Sequence, residues 1–158
     1  MKKCIRTLVL SVVTTLSVFF AGTTQAVTVA VLDTGLDPNE SWANRADWNY
    51  DYDWINFDYD AYDDASNRHG TKVANEVLVY SSYATVLPIK VIHWSGLTFD
   101  SITGLGVYDA AGWYSDSHQS VRVINLSLGG FSGRPELTIA GMHYAVSKNI
   151  FIVLAAGN

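Results

Sequence analysis

"VTVAVLDTG", residues 27–35, carries six apolar or β-branched residues into an aspartate and then a Thr-Gly turn. A run so short and so continuously apolar suits a parallel strand covered on both faces. "ATVLPIKVI" (84–92), "VRVINLSL" (121–128) and "NIFIVLAA" (149–156) have the same character. Helical stretches lie between them. "HGTKVANEVLVYSS" (69–82) is expected to put Val73, Val77 and Tyr80 on one face, "DSITGLGVYDAAGWY" (100–114) follows, and in "RPELTIAGMHYAVSKN" (134–149) Pro135 fits the first helical position. Strands alternating with helices predict an α/β sheet with right-handed crossovers. Functional residues then gather at the carboxyl ends of the strands. Asp33, the segment Asn125 to Gly130, and Gly157-Asn158 all fall at or just after such ends.

Ahead of this region, Lys2, Lys3 and Arg6 precede an apolar run from Leu8 to Phe20 that closes on Thr24-Gln25-Ala26. This is the layout of a secretory signal peptide, with cleavage expected after Ala26 and a secreted or periplasmic destination. Ser11, Thr14, Thr15 and Ser17 interrupt the run, which falls short of the ~20 apolar residues of a membrane span. No membrane association is expected once the segment is removed. Residues 27–158 keep seven basic and fifteen acidic side chains, a formal charge of −8. That balance argues against a nucleic-acid partner, which needs a basic face. The one cysteine, Cys4, lies in the signal, so the remainder has neither a disulfide nor a thiol nucleophile. Its length suits one domain, with no internal repeat or linker.

Several motifs sit at the strand ends. Asp33 rides on a rigid tip before Thr34-Gly35, either as a turn cap or as a catalytic carboxylate. The same D-T-G letters occur in retroviral-type aspartic proteases. His69 opens "HGTKVANEV", either as an ordinary surface residue or as a base that the helix N-terminus, which disfavours imidazolium, keeps neutral and available. "VINLSLGG" frees backbone at 127–129 to pair with an extended peptide, or is a plain strand-to-loop turn. "AAGN" combines small residues with an asparagine whose amide can donate to a developing oxyanion, or is a simple turn.

In this order, "VAVLDTG", "HGTKVA", "LPIKV", "VINLSLGG" and "AVSKNIFIVLAAGN" resemble the subtilisin-like serine proteases across residues 27–158. The retroviral alternative fails, since it calls for an all-β dimer and has no use for His69 or Asn158. The resemblance implies a three-layer, doubly wound parallel sheet of about five strands in spatial order 2-3-1-4-5, the second strand lying near "DYDWINF". It carries the triad aspartate to Asp33, the general base to His69 and the oxyanion asparagine to Asn158. The substrate strand maps to Ser127, Leu128 and Gly129, and the S1 wall to Ala155, Ala156 and Gly157. The implied activity is serine-type endopeptidase action on polypeptides, with no cofactor required for the chemistry.

The sequence also departs from that family's pattern. The nucleophilic serine usually lies in a G-T-S-M-A segment, and the 158 residues contain none. The expectation is therefore the N-terminal half of a catalytic domain, inactive alone and partnered by the missing C-terminal half. A secreted, non-catalytic peptide-binding pseudoprotease is the alternative. Lys72 and Asn75 replace the usual histidine and glycine of the helix, and no propeptide is expected between the signal and the first strand. The tract "DWNYDYDWINFDYDAYDD" (47–64) places seven aspartates among aromatic residues. A solvated loop with half-buried rings is expected there. Structural calcium is the sharper reading, with no ligands assigned.

Overall fold

Strand β1 (Val27–Asp33) runs through the middle of a parallel five-stranded sheet in the order β2-β3-β1-β4-β5. This computed structural model describes residues 26–115, 121–130 and 134–156. The expected signal segment therefore lies outside the described residues, Ala26 excepted. Strands β3 (Ala84–Lys90) and β4 (Val121–Leu126) flank β1, while β2 (Tyr52–Asp53) and β5 (Phe151–Leu154) form the edges. The strand order is the one expected from the sequence.

The continuous apolar character of β1 is explained by what covers it. Val29 and Val31 face helix α1 (His69–Tyr80), meeting Ala74 and Leu78. Ala30 and Leu32 face the opposite way, into a larger cluster with Leu87, Ile89 and Ile124. That cluster is closed by Val107 of helix α2 (Asp100–Tyr108), Ala110 and Ala111 of its π-helical continuation (Asp109–Tyr114), and Ala145 of helix α3 (Glu136–Ser147). Helices on both faces make three layers. Each large aliphatic side chain buried in this way contributes roughly 1.5–3 kcal/mol.

Two local expectations about the helices shift. The buried stripe of α1 is Gly70, Thr71, Ala74 and Leu78, and Tyr80 is 85% exposed. Tyr80 stands two residues beyond Leu78, about 200° around a helix from it, so the two cannot share a face. Pro135 sits one place before α3 instead of in its first turn. The α3 start is capped from α2 instead: Asp100 accepts from the backbone N–H groups of Leu137 and Thr138, each at 2.8 Å. Burial opposes the charge on Asp100, but these bonds hold its carboxyl below the usual range. The two helices cross where Gly104 faces Leu137, since a Cβ at Gly104 would lie 2.8 Å from the Leu137 carbonyl carbon.

The acidic tract is less solvated than its composition suggests. Asp51, Asp53 and Asp63 are buried, and their carboxylates accept from backbone N–H groups: Asp51 from Ala61, Asp53 from Ile55 and Asn56, and Asp63 from Ala65 and from Thr71 of α1. Lys90, also buried, reaches into the tract, donating to Asp64 at 2.6 Å and to the Tyr62 carbonyl at 2.9 Å. The aspartates substitute for regular secondary structure by satisfying a folded loop internally. At the other edge of the sheet, Phe151, Val153 and Leu154 of β5 are 74%, 49% and 55% exposed, and Ile152 packs on the core.

Candidate functional site

The parallel register brings the strand ends to one level. Val31 pairs with Asn125 and Asn125 with Val153, so Asp33, Ser127 and Ala155 each lie two residues further along. The Ala155 N–H continues the ladder to the Leu126 carbonyl at 3.1 Å. Asp33, fully buried, closes β1, and its carbonyl accepts from the N–H groups of Val91 and Ile92.

Opposite Asp33 stands His69, the first residue of α1. Its Nδ1 lies 2.7 Å from Asp33 Oδ1, and its side chain is 43% exposed. The same carboxylate oxygen accepts from the Thr34 N–H at 2.8 Å. Asp33 Oδ2 is buried and accepts no hydrogen bond from the described residues. Burial pushes the Asp33 carboxyl up, the bonds from His69 and Thr34 offset part of the rise, and nearby Asp63 adds to it. With Nδ1 committed to a buried carboxylate, Nε2 is the nitrogen left to exchange a proton with a bound molecule.

The start of α1 is held by other segments of the chain. Arg68, the residue before the helix, adopts a left-handed conformation (φ 49°) and caps nothing with its side chain. Its guanidinium instead pairs with Asp37 and Glu40. The free N–H groups of the first turn go to Asn67 Oδ1 from His69, Thr34 Oγ1 from Gly70 at 2.8 Å, and Asp63 Oδ2 from Thr71 at 3.0 Å. The Thr71 hydroxyl donates to Asp63 Oδ2 as well, at 2.7 Å. Gly70 is compulsory here, because a Cβ would sit 2.3 Å from the Gly35 carbonyl oxygen. Gly35 itself has φ +107°, a conformation that side chains resist. Thr34, Asn67 and Asp63 therefore position His69, a role the motif letters did not reveal. Thr34 was within view in D-T-G, whereas Asp63 was hidden in the acidic tract.

Among the other residues singled out, Ser127 is half-buried and its Oγ lies 2.9 Å from the Asn125 Nδ2 donor. Leu128 packs on the main core, and Gly129, Ala155 and Ala156 are exposed along the same sheet end. Gly157 and Asn158 lie outside the described residues. Lys72 and Asn75 line a cavity of about 250 Å³ with Glu40, Trp42, Arg68 and Glu76. Among the described residues, no group of three or more His, Cys, Asp or Glu side chains is arranged to hold a metal ion. Nor is any described helix long and apolar enough to cross a membrane.

A model of the subtilase family matches residues 24–158. No curated protein matches the chain by sequence. Solved structures similar to it include Sphericase, 24% identical with a TM-score of 0.71 over 85% of this chain and 46% of that one. S41 Psychrophilic Protease is 27% identical with a TM-score of 0.66, over 85% of this chain and 46% of that one. A structure described as proteases from Pseudoalteromonas arctica PAMC 21717 is 27% identical with a TM-score of 0.70, over 85% and 50%. The chain spans about half the length of these proteases.

Proposed function

The chain belongs to the subtilase family, and from that premise we propose that it supplies the Asp and His of a serine endopeptidase triad, Asp33 and His69. The observation that carries the reading is the 2.7 Å contact between His69 Nδ1 and the buried Asp33 carboxylate. In the reaction, a serine hydroxyl attacks the peptide carbonyl while His69 Nε2 takes its proton and later returns it to the leaving amine. Asp33 holds the ring in the productive tautomer and stabilises the imidazolium. The Asn158 amide donates to the tetrahedral oxyanion. Ser127, Leu128 and Gly129 pair with the extended substrate backbone, and Ala155, Ala156 and Gly157 line the pocket for the side chain before the scissile bond. No cofactor enters these steps.

The serine belongs to a G-T-S-M-A segment that is not among the 158 residues, so these residues alone hydrolyse no peptide. The polypeptide carrying that segment docks on β5, whose Phe151, Val153 and Leu154 side chains offer an apolar surface. Export by the leading 26 residues belongs to the same proposal and is checked by finding Val27 at the mature N-terminus. The activity is tested by joining residues 27–158 to a subtilase segment that bears the serine. Hydrolysis of a chromogenic peptide and fluorophosphonate labelling of that serine are expected. Replacing His69 by alanine should then lower turnover by roughly 10³-fold or more. Hydrolysis that survives His69→Ala, or labelling of the 158-residue chain alone, contradicts the assignment.

A further inference from the structure

A group of aromatic side chains lies on the α2 side of the sheet, at the β2 edge, with β3 standing between it and the strand of Asp33. Tyr52, Trp54, Tyr59, Leu105, Tyr108 and Asp109 line a cavity of about 410 Å³ there. The Tyr52 ring meets Trp54 at 4.9 Å and 60°, and Tyr59 at 5.1 Å and 83°. Rings set edge to face in this way bound a space from several directions. The Trp54 indole N–H donates to Asp109 Oδ2 at 3.2 Å, which fixes the indole and ties the carboxylate to the aromatic wall. No lysine, arginine or histidine lines the cavity.

We propose that this cavity binds a small quaternary ammonium compound of the choline class, its cationic head against Tyr52, Trp54 and Tyr59 and its charge facing Asp109. Aromatic faces attract cations through their quadrupole, most strongly when the cation is weakly hydrated and easily desolvated. A methylated ammonium meets that condition better than a primary amine. A metal ion does not fit, because one carboxylate among rings provides too few oxygen ligands. The lining supplies one negative charge, matching one cationic head. Burial pushes the Asp109 carboxyl up to about 6, with the Trp54 bond only partly offsetting the rise. Near neutral pH the site thus holds a carboxylate without a cationic partner among its lining residues, and a bound cation relieves that cost.

Calorimetric titration of the full chain near neutral pH with choline, tetramethylammonium and 3,3-dimethylbutan-1-ol, the uncharged isostere of choline, tests the proposal. Both cations should bind saturably, with the isostere about tenfold weaker or more, as cation–π attraction implies. Asp109→Asn should weaken choline binding by about tenfold. Tyr59 is 68% exposed, so Tyr59→Ala leaves folding intact and should weaken binding several-fold. Equal affinity for the isostere, no saturable binding of either cation, or unchanged affinity in Tyr59→Ala would overturn the proposal. Tighter binding of N-acetyl-lysine amide than of choline would also overturn it, in favour of a lysine-docking site.

Discussion

Replacing Thr34 by valine tests whether the start of α1 is held by a strand it does not belong to. The Thr34 hydroxyl oxygen accepts from the Gly70 N–H at 2.8 Å, and Thr34 is 3% exposed. Valine keeps the shape but supplies a methyl in place of the acceptor. A buried donor left without a partner costs about 1–3 kcal/mol. The extra methyl returns at most ~0.8 kcal/mol. The net cost is about 1–2 kcal/mol, which equals roughly fivefold to thirtyfold at about 1.4 kcal/mol per decade. Because Thr34→Ser also loses a methyl, overall stability alone does not separate the two variants. Amide hydrogen exchange at Gly70 does, since serine keeps the acceptor. Exchange there should be about five times faster or more in Thr34→Val and close to wild type in Thr34→Ser. A change below about twofold in Thr34→Val, or equal acceleration in both variants, would mean that the Thr34 hydroxyl does not hold the Gly70 N–H.

Gly70→Ala should destabilise the chain by about 1–3 kcal/mol or more in urea unfolding, because the new methyl meets backbone that cannot swing aside. Asp109→Asn should stabilise the fold at pH 7, by about 3 kcal/mol at most, since its carboxyl is raised to about 6 from an ordinary 3.8. A raised carboxyl favours folding below its unfolded value and loses that contribution as pH climbs through the folded one. The gain in Asp109→Asn should therefore fade as pH falls from about 6 to about 4, as unfolding midpoints across that range will show. Asp100→Ala should cost about 1–2 kcal/mol at neutral pH by removing the cap on α3. The Asp100 carboxyl is lowered, so its contribution is present above the unfolded value near 3.8 and is lost as pH falls below it.

The sheet was legible because four runs of β-branched and aliphatic residues leave few alternatives, and the interleaved helical patterns fix parallel connections. Asp33 and His69 were legible for the same reason, each standing where a periodic segment begins or ends. The supporting contacts were not. Thr34, Asn67 and Asp63 cap α1 across up to 36 residues of chain, and no local pattern encodes which loop carboxylate reaches which helix. Composition misled in the acidic tract, where burial of Asp51, Asp53 and Asp63 depends on the folded loop supplying N–H donors. Helical spacing grouped Tyr80 with Val73 and Val77, but the buried stripe of α1 runs through Ala74 and Leu78 and leaves Tyr80 in solvent.

For His69 to act as the base, Asp33 must hold it with Nδ1 protonated and Nε2 free. Nitrogen-15 chemical shifts of the neutral His69 ring report that directly. A single neutral tautomer with the proton on Nδ1 is expected, and its loss in Asp33→Ala. A proton on Nε2, or a tautomer mixture indifferent to Asp33→Ala, would contradict it.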